Sequence, residues 1–152
     1  SERSEASVIP KGGEWLRDAV ASFDPDRNSL ATAGGRQVGY DFRVVAAGIQ
    51  LNWGQIPGLK ETLGRNRVGS NYSYGTVDFT WQAIRDFRGG TALFTMPNTP
   101  VKCGGAPQKI MYLAEDYFRR AGVRDKARIV FASGTANLFA VPKYRATLEN
   151  WV

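Results

Sequence analysis

Residues 91–132 read TALFTMPNTPVKCGGAPQKIMYLAEDYFRRAGVRDKARIVFA, and their patterns decide the fold. Apolar runs at 91–96 and 127–132 have the length and composition of buried strands. Between them, residues 107–121 place apolar side chains at the spacing of one helix face: Ile110, Leu113, Ala114, Tyr117 and Phe118. A strand, a helix and a second strand in this order predict a parallel α/β unit.

Two more helices flank this unit in the sequence. The first is predicted after residue 76, where apolar residues recur at helical spacing: Val77, Trp81, Ile84 and Phe87. Thr76 is its predicted capping residue, and the glycines at 89–90 are its predicted end. A last helix is predicted from Lys143 to the final residue, Val152. Residues 76–152 therefore form a βαβα, Rossmann-like unit preceded by a helix.

The first third of the sequence consists of short apolar segments separated by turn-forming residues. Segments at 15–23, 29–32 and 37–40 predict an antiparallel meander, although 14–22 also suit a helix by propensity. Residues 42–47 then predict a buried strand that ends at Gly48. Residues 49–75 are rich in Gly, Asn and Pro and are interpreted as a long loop or linker.

Composition excludes several kinds of chemistry. The chain has one cysteine and no histidine, which rules out an intramolecular disulfide, Ser-His-Asp catalysis and every histidine-containing metal site. The net charge is +6, with eleven basic and six acidic residues after position 75. The densest basic run follows the helix at 107–121 and is interpreted as a solvated helix end: Arg119, Arg120, Arg124, Lys126 and Arg128.

No apolar stretch is long enough to cross a bilayer, and residues 1–10 lack the apolar core of a signal peptide. The last predicted helix has no capping glycine or polar tail after Trp151. Two parallel strands are also few for an open sheet. We therefore expect this sequence to be part of a longer protein.

The loop between the first strand and the helix at 107–121 holds the most informative chemistry. Ligands of α/β domains bind at the carboxyl ends of strands, and this loop contains Cys103. Lys102, Lys109 and the free N–H groups of the helix start favour a thiolate there, and Gly104-Gly105 would allow a ligand to approach closely. The loop lacks GxGxxG, so a phosphate site is not expected. A lone cysteine also suits a small buried hydrophobe, and that alternative stays open.

Four strings carry a family resemblance: ASVIPKGGEWL at 6–16, YDFRVVAAGIQLNW at 40–53, GSNYS at 69–73 and FTMPNTPVKCGGAPQKIMYLAEDYFRRAG at 94–122. The second resembles the segment with which flavoprotein disulfide reductases return to their FAD domain. Together they resemble sulfide:quinone oxidoreductases of mitochondria and bacteria, from about Ala6 to Val152. The VKCGGAPQK run is the most specific part.

The resemblance implies a fold and a reaction. The fold is that of a two-dinucleotide-binding-domain flavoprotein, with residues 1–75 as the end of an FAD-domain segment plus linker. Residues 76–152 would be an incomplete second, NAD-domain-like unit. The reaction is oxidation of sulfide through a redox cysteine pair and non-covalent FAD, with transfer of the sulfur to an acceptor. Electrons pass to membrane quinone as acceptor, at the bacterial or mitochondrial inner membrane.

Individual residues match positions of the family. Cys103 matches a redox cysteine and is the predicted catalytic residue. Lys109 matches a lysine that contacts FAD in the family. Val20 lies where the family's chain meets the adenine end of FAD. Ala47 and Gly48 lie in the small-residue turn near the flavin ring. No metal and no nucleic acid are expected, and homo-oligomerisation is left open.

Two other functions remain open from the sequence. An NAD(P)H-dependent flavin reductase is disfavoured by the missing glycine fingerprint. A basic module that binds nucleic acid or anionic lipid predicts steeply salt-dependent binding. Because a two-cysteine relay cannot run on one cysteine, these 152 residues alone are expected to show no turnover and weak or absent FAD binding.

Overall fold

The computed structural model describes residues 3–151 and contains two compact units, which divide between Ala47 and Gly48. The first unit holds a three-stranded sheet and the second a two-stranded sheet. Residues 49–75 thus belong to the second unit, where they include a short helix, α1 (Leu59–Thr62), and the 3-10 turn Trp53–Gln55. The assignment of residues 1–75 and 76–152 to an FAD-binding part and an NAD-domain-like part stays a prediction.

The first unit is the expected antiparallel meander. Its strands are β1 (Val20–Asp24), β2 (Ser29–Thr32) and β3 (Gln37–Gly39), in the order β1-β2-β3. A 3-10 turn joins β1 to β2, and the Asp24 carboxylate accepts a hydrogen bond from the Arg27 amide at 3.2 Å. The helical alternative for residues 14–22 is wrong, because 14–17 are irregular and the chain enters β1 at Val20.

The buried strand expected at residues 42–47 is also wrong. This segment is irregular and exposed, with Phe42 96% and Val44 90% accessible. A strand needs a neighbour for its backbone hydrogen bonds, and none of the strands found among residues 3–151 pairs with this segment. The apolar composition alone therefore does not make the segment a strand.

The second unit confirms the predicted βαβα order. It contains α2 (Tyr74–Arg85), β4 (Gly90–Met96), α3 (Ala106–Arg120), β5 (Ala127–Ser133) and α4 (Pro142–Glu149). Strands β4 and β5 pair in parallel from Gly90 opposite Ala127 to Met96 opposite Ser133. Pro107 lies in the first turn of α3, where its missing N–H has no cost.

The core of this unit lies between α2, α3 and one face of the sheet. Ala114 and Phe118 of α3 are 0% and 1% exposed, and Phe118 stacks on Phe87 with ring centroids 4.4 Å apart. Trp81 of α2 meets Tyr117 edge-on at 5.2 Å. The Trp81–Tyr117 pair thus joins α2 to α3, and the Phe87–Phe118 pair joins α3 to the segment just after α2.

Two apolar residues are less buried than their patterns predict. Strand β4 alternates between exposed and half-buried positions instead of being buried throughout, and Leu93 is 60% exposed. Leu113 of α3 is 54% exposed. Since α3 covers one face of β4 and β5, side chains on the opposite face of this two-stranded sheet stay accessible.

Two helix ends differ from the sequence prediction. Helix α2 begins at Tyr74, two residues before the expected cap, because the Thr76 and Val77 amides already donate to the Ser73 carbonyl at 3.1 Å. The Thr76 hydroxyl donates to the Ser70 carbonyl at 2.6 Å from within the helix. Helix α4 ends at Glu149 rather than continuing, since the Trp151 amide donates to the Leu148 carbonyl in a tighter turn. Val152 lies outside the described residues.

The basic run after α3 is partly ion-paired. The guanidinium groups of Arg119 and Arg124 each lie 2.9 Å from Glu115, and Arg120 lies 2.6 Å from Asp116. Hydrogen bonds from Arg124 and then Arg119 hold the pKa of Glu115 below its ordinary value. Three cations of the basic run therefore form ion pairs with carboxylates of α3.

Among residues 3–151, no helix has the length and apolar content that a bilayer crossing requires.

Candidate functional site

The candidate site lies at the carboxyl ends of β4 and β5, where two loops meet. The Gly134 amide, just after β5, donates to the Met96 carbonyl at the end of β4 at 2.8 Å. A Cβ atom at Gly134 would lie only 2.7 Å from the backbone nitrogen of Asn98. Glycine at position 134 thus allows the loop after β5 to touch the loop that carries Cys103.

The loop after β5 is also fixed to the start of α3. Gln108 is 2% exposed, and its side-chain amide donates to the Leu138 carbonyl. The Phe139 ring lies 3.8–3.9 Å from where Cβ atoms would stand on Gly104 and Gly105. The sequence predicts that these glycines leave room for a ligand, whereas the structure places the Phe139 ring beside them.

Cys103 lies at the surface, three residues before the first residue of α3. Its carbonyl accepts hydrogen bonds from the Ala106 amide at 3.2 Å and from the Tyr72 hydroxyl at 3.1 Å. The interpretation of this cysteine as a small buried hydrophobe is therefore wrong, because the residue is exposed.

Cys103 borders an open cleft of about 320 Å³ in the second unit. The cleft has apolar, amide, phenolic, cationic and thiol groups on its walls: Ile49, Leu51, Asn71, Tyr72, Lys102, Cys103 and Ala106. The positive charge of an ammonium group attracts a small anionic reactant into the cleft, and it also favours the thiolate form of a neighbouring cysteine. The cleft thus places the thiol-bearing residue beside a cationic residue.

Tyr72 is electrostatically linked to this thiol. Partial burial raises the pKa of Tyr72 above its ordinary value, and the negative charge of an ionised Cys103 raises this pKa further. The hydrogen bond to the Cys103 carbonyl acts in the opposite direction on the same pKa. The phenol therefore stays protonated at neutral pH and able to donate.

The predicted cofactor-binding residues are all accessible. Lys109 is exposed in the first turn of α3, and Gly48 is exposed with a φ of +74° and no atom near its Cβ position. In the first unit, Val20 begins β1 opposite Thr32 and is 48% exposed, and Ala47 is exposed. Their exposure leaves these residues open to contact with a cofactor. Their roles stay predictions.

The second unit brings Lys102 and Cys103 into one cleft, with Lys109 on the adjoining helix. Sequence reasoning missed Tyr72, Gln108 and Phe139. From the sequence, the run GSNYSYG at 69–75 suits either an aromatic binding loop or a set of turn formers, and its amides and hydroxyls favour the turn formers. The GSNYS resemblance is the signal that singles out this segment, and it does not reveal a contact across 31 residues.

Comparison with curated proteins gives close relatives. The chain is 50% identical over 149 residues to the mitochondrial sulfide:quinone oxidoreductase of Mus musculus, and 47% identical over 150 residues to that of Dictyostelium discoideum. Each match covers 98% of this chain and 33% of the relative, so the chain spans about a third of the length of these relatives. No family model matches the chain.

A solved structure shows the same fold. The sulfide:quinone oxidoreductase from the hyperthermophilic bacterium Aquifex aeolicus matches 91% of this chain and 32% of its own, with a TM-score of 0.65 and 22% identity. The α/β fold class and the resemblance stated from the sequence motifs are both confirmed. A nicotinamide-dependent reductase and a basic interaction module are not favoured by these matches.

Proposed function

We propose that this chain is the part of a sulfide:quinone oxidoreductase that carries one of its two redox cysteines, Cys103. The observation that carries the proposal is the identity of up to 50% across 98% of the chain, which includes the loop with the exposed thiol. Three cations of the densest basic run are paired with carboxylates in their own helix region, so this run is partly neutralised.

Cys103 takes part in sulfur–sulfur exchange in this proposal. A hydrosulfide ion attacks the bond between Cys103 and a second cysteine elsewhere in the complete protein. That bond breaks, one sulfur becomes a persulfide, and the other leaves as a thiolate. Transfer of the outer sulfur to an acceptor leaves two thiolates, which re-form their bond when two electrons depart. Lys102, in the wall of the same cleft, attracts the anionic reactant.

FAD, when bound, supplies the two-electron acceptor next to the cysteines, and membrane quinone is the final oxidant. Lys109 would hold the cofactor through its ammonium group, Val20 through its backbone, and Ala47 and Gly48 through a small-residue turn. The mitochondrial names of the relatives support a mitochondrial site of action, which in this proposal is the inner membrane. The complete protein would then bind the membrane surface to reach quinone.

The choice of electron donor tests this function. In the complete protein with bound flavin, sulfide is expected to bleach the flavin absorbance without oxygen, and NADH is not. The physical reason is that the loop after β4 offers a thiol instead of the glycine-rich turn that holds a nicotinamide dinucleotide. Stopped-flow absorbance measures both reactions. Reduction by NADH but not by sulfide would establish the flavin reductase alternative instead.

A further inference from the structure

We propose that Tyr72 is a positioning residue for Cys103: its hydroxyl holds the Cys103 carbonyl and keeps this residue in the wall of the cleft. The inference rests on the proposed function of Cys103 and extends it to a second side chain. Tyr72 and Cys103 are 31 residues apart in the sequence, and the hydroxyl-to-carbonyl distance is 3.1 Å. Both residues line the same cleft of about 320 Å³.

The hydrogen bond from the Tyr72 hydroxyl to the Cys103 carbonyl links two segments that are held in place by different helices. The Cys103 segment is continuous with α3, through the bond from the Ala106 amide to the Cys103 carbonyl. The Tyr72 segment is fixed against α2, because the Thr76 hydroxyl donates to the Ser70 carbonyl and the Tyr72 amide donates to the Ser70 hydroxyl at 3.2 Å. Tyr72 thus joins the α2 side of the cleft to its α3 side.

Close packing on the α2 side makes Tyr72 a firm support. A Cβ atom on Gly69 would lie 2.6 Å from the Thr80 hydroxyl and 3.2 Å from its Cα, so the backbone at 69 rests directly on α2. Tyr72 itself is half-buried. Because the Tyr72 ring is already held in place, it loses little further conformational freedom when its hydroxyl bonds the Cys103 carbonyl. The bond therefore favours a fixed geometry at Cys103.

The side chains next to Cys103 give its peptide unit little support of their own. The residues on either side of Cys103 are Lys102, which is exposed, and Gly104, which has no Cβ to pack. Without the phenol, the Cys103 carbonyl retains the Ala106 amide as its partner, and the loop opens more often. A reacting sulfur that leaves its productive position slows exchange, because attack on a sulfur–sulfur bond needs close alignment.

The test compares Tyr72→Phe with Tyr74→Phe in the complete protein. Both changes remove one phenolic oxygen, and Tyr74 is 80% exposed, two residues further along the chain. Tyr72→Phe is expected to lower the rate constant of sulfide-driven flavin reduction roughly 2- to 10-fold. In protein whose Cys103 has first been reduced to the thiol with dithiothreitol, it is expected to speed maleimide modification of Cys103 by a similar factor. Tyr74→Phe is expected to leave both rates at the parent values. Mass spectrometry of the tryptic peptide 103–109 reports the modification.

Two features of the test separate positioning from general damage. Partial unfolding lowers the amplitude of the flavin signal and leaves its rate constant unchanged, whereas mispositioning lowers the rate constant itself. A Tyr72→Phe protein with both parent rates, or with a loss of amplitude alone, would overturn the proposal. If sulfide fails to reduce the flavin of the parent protein, the proposed function fails. The maleimide rates then decide the role of Tyr72, and equal rates in parent and Tyr72→Phe reject it.

Discussion

Replacing Cys103 by serine is expected to abolish sulfide-driven flavin reduction in the complete protein. A serine hydroxyl cannot form the sulfur–sulfur bond that hydrosulfide attacks, so the exchange has no first step. The rate constant is expected to fall by roughly 10³-fold or more, the scale seen when an essential nucleophile is removed. Cys103 is exposed and borders an open cleft, so the smaller hydroxyl of serine fits in place of the thiol and folding should be unaffected.

Thr99→Ala is the matched control for this experiment. Thr99 lies in the same loop, is exposed, and stands outside the lining of the cleft. Its substitution is expected to leave the flavin reduction rate at the parent value. Stopped-flow absorbance with excess sulfide gives the rate constants for parent, Cys103→Ser and Thr99→Ala. Sulfide-driven reduction that survives in Cys103→Ser would remove this thiol from the mechanism.

Phe118→Ala is expected to give the largest loss of stability in the chain. Phe118 is 1% exposed, packs with Ile84 and Ala114, and stacks on Phe87 at 4.4 Å with 25° between the rings. Truncation removes the buried ring and leaves a cavity between α2, α3 and the sheet. The free energy of unfolding should fall by about 3–5 kcal/mol. Urea unfolding of the 152-residue chain, followed by circular dichroism, measures this loss.

Leu113→Ala provides the comparison on the same helix. Leu113 is 54% exposed, and its truncation is expected to change the free energy of unfolding by about 0.5 kcal/mol or less. Phe118→Leu, which retains most of the buried volume, should recover part of the stability lost in Phe118→Ala. Equal losses for Phe118→Ala and Leu113→Ala would show that the described core does not hold this unit together.

The parts of the fold that follow local patterns were predictable. The order β4, α3, β5 and the bounds of these elements, to within one residue, follow from apolar spacing and from Pro107 at the helix start. The meander follows from turn-forming residues such as those at 24–26 and the glycines at 34–35. In these segments, local propensity and tertiary packing favour the same structure.

Features that depend on a neighbouring element were not predictable. Residues 42–47 have strand composition, but a strand forms only beside another strand, and composition does not report that neighbour. The exposure of Leu93 likewise depends on which face of the sheet α3 covers. Helix α4 stops at Glu149 although the next two residues, Asn150 and Trp151, are neither glycine nor proline.

The candidate site divides in the same way. Cys103 was predictable because it is the single thiol of the chain and lies at a strand-to-helix loop. The support of Cys103 by Tyr72 was not predictable, since the bond crosses 31 residues and the local sequence of the tyrosine does not report its partner. The close approach of Gly134 to Asn98 is equally non-local.

The state of the Cys103 sulfur before and after sulfide tests the central claim most directly. Trypsin cleavage after Lys102 and Lys109 isolates this sulfur in the peptide 103–109. In the oxidised complete protein, we expect this peptide to resist alkylation because its sulfur is bonded to a second cysteine. After sulfide, it should appear as a thiol, a persulfide or a sulfur bridge. A Cys103 thiol that is equally alkylated before and after sulfide, while sulfide reduces the flavin, would contradict the account.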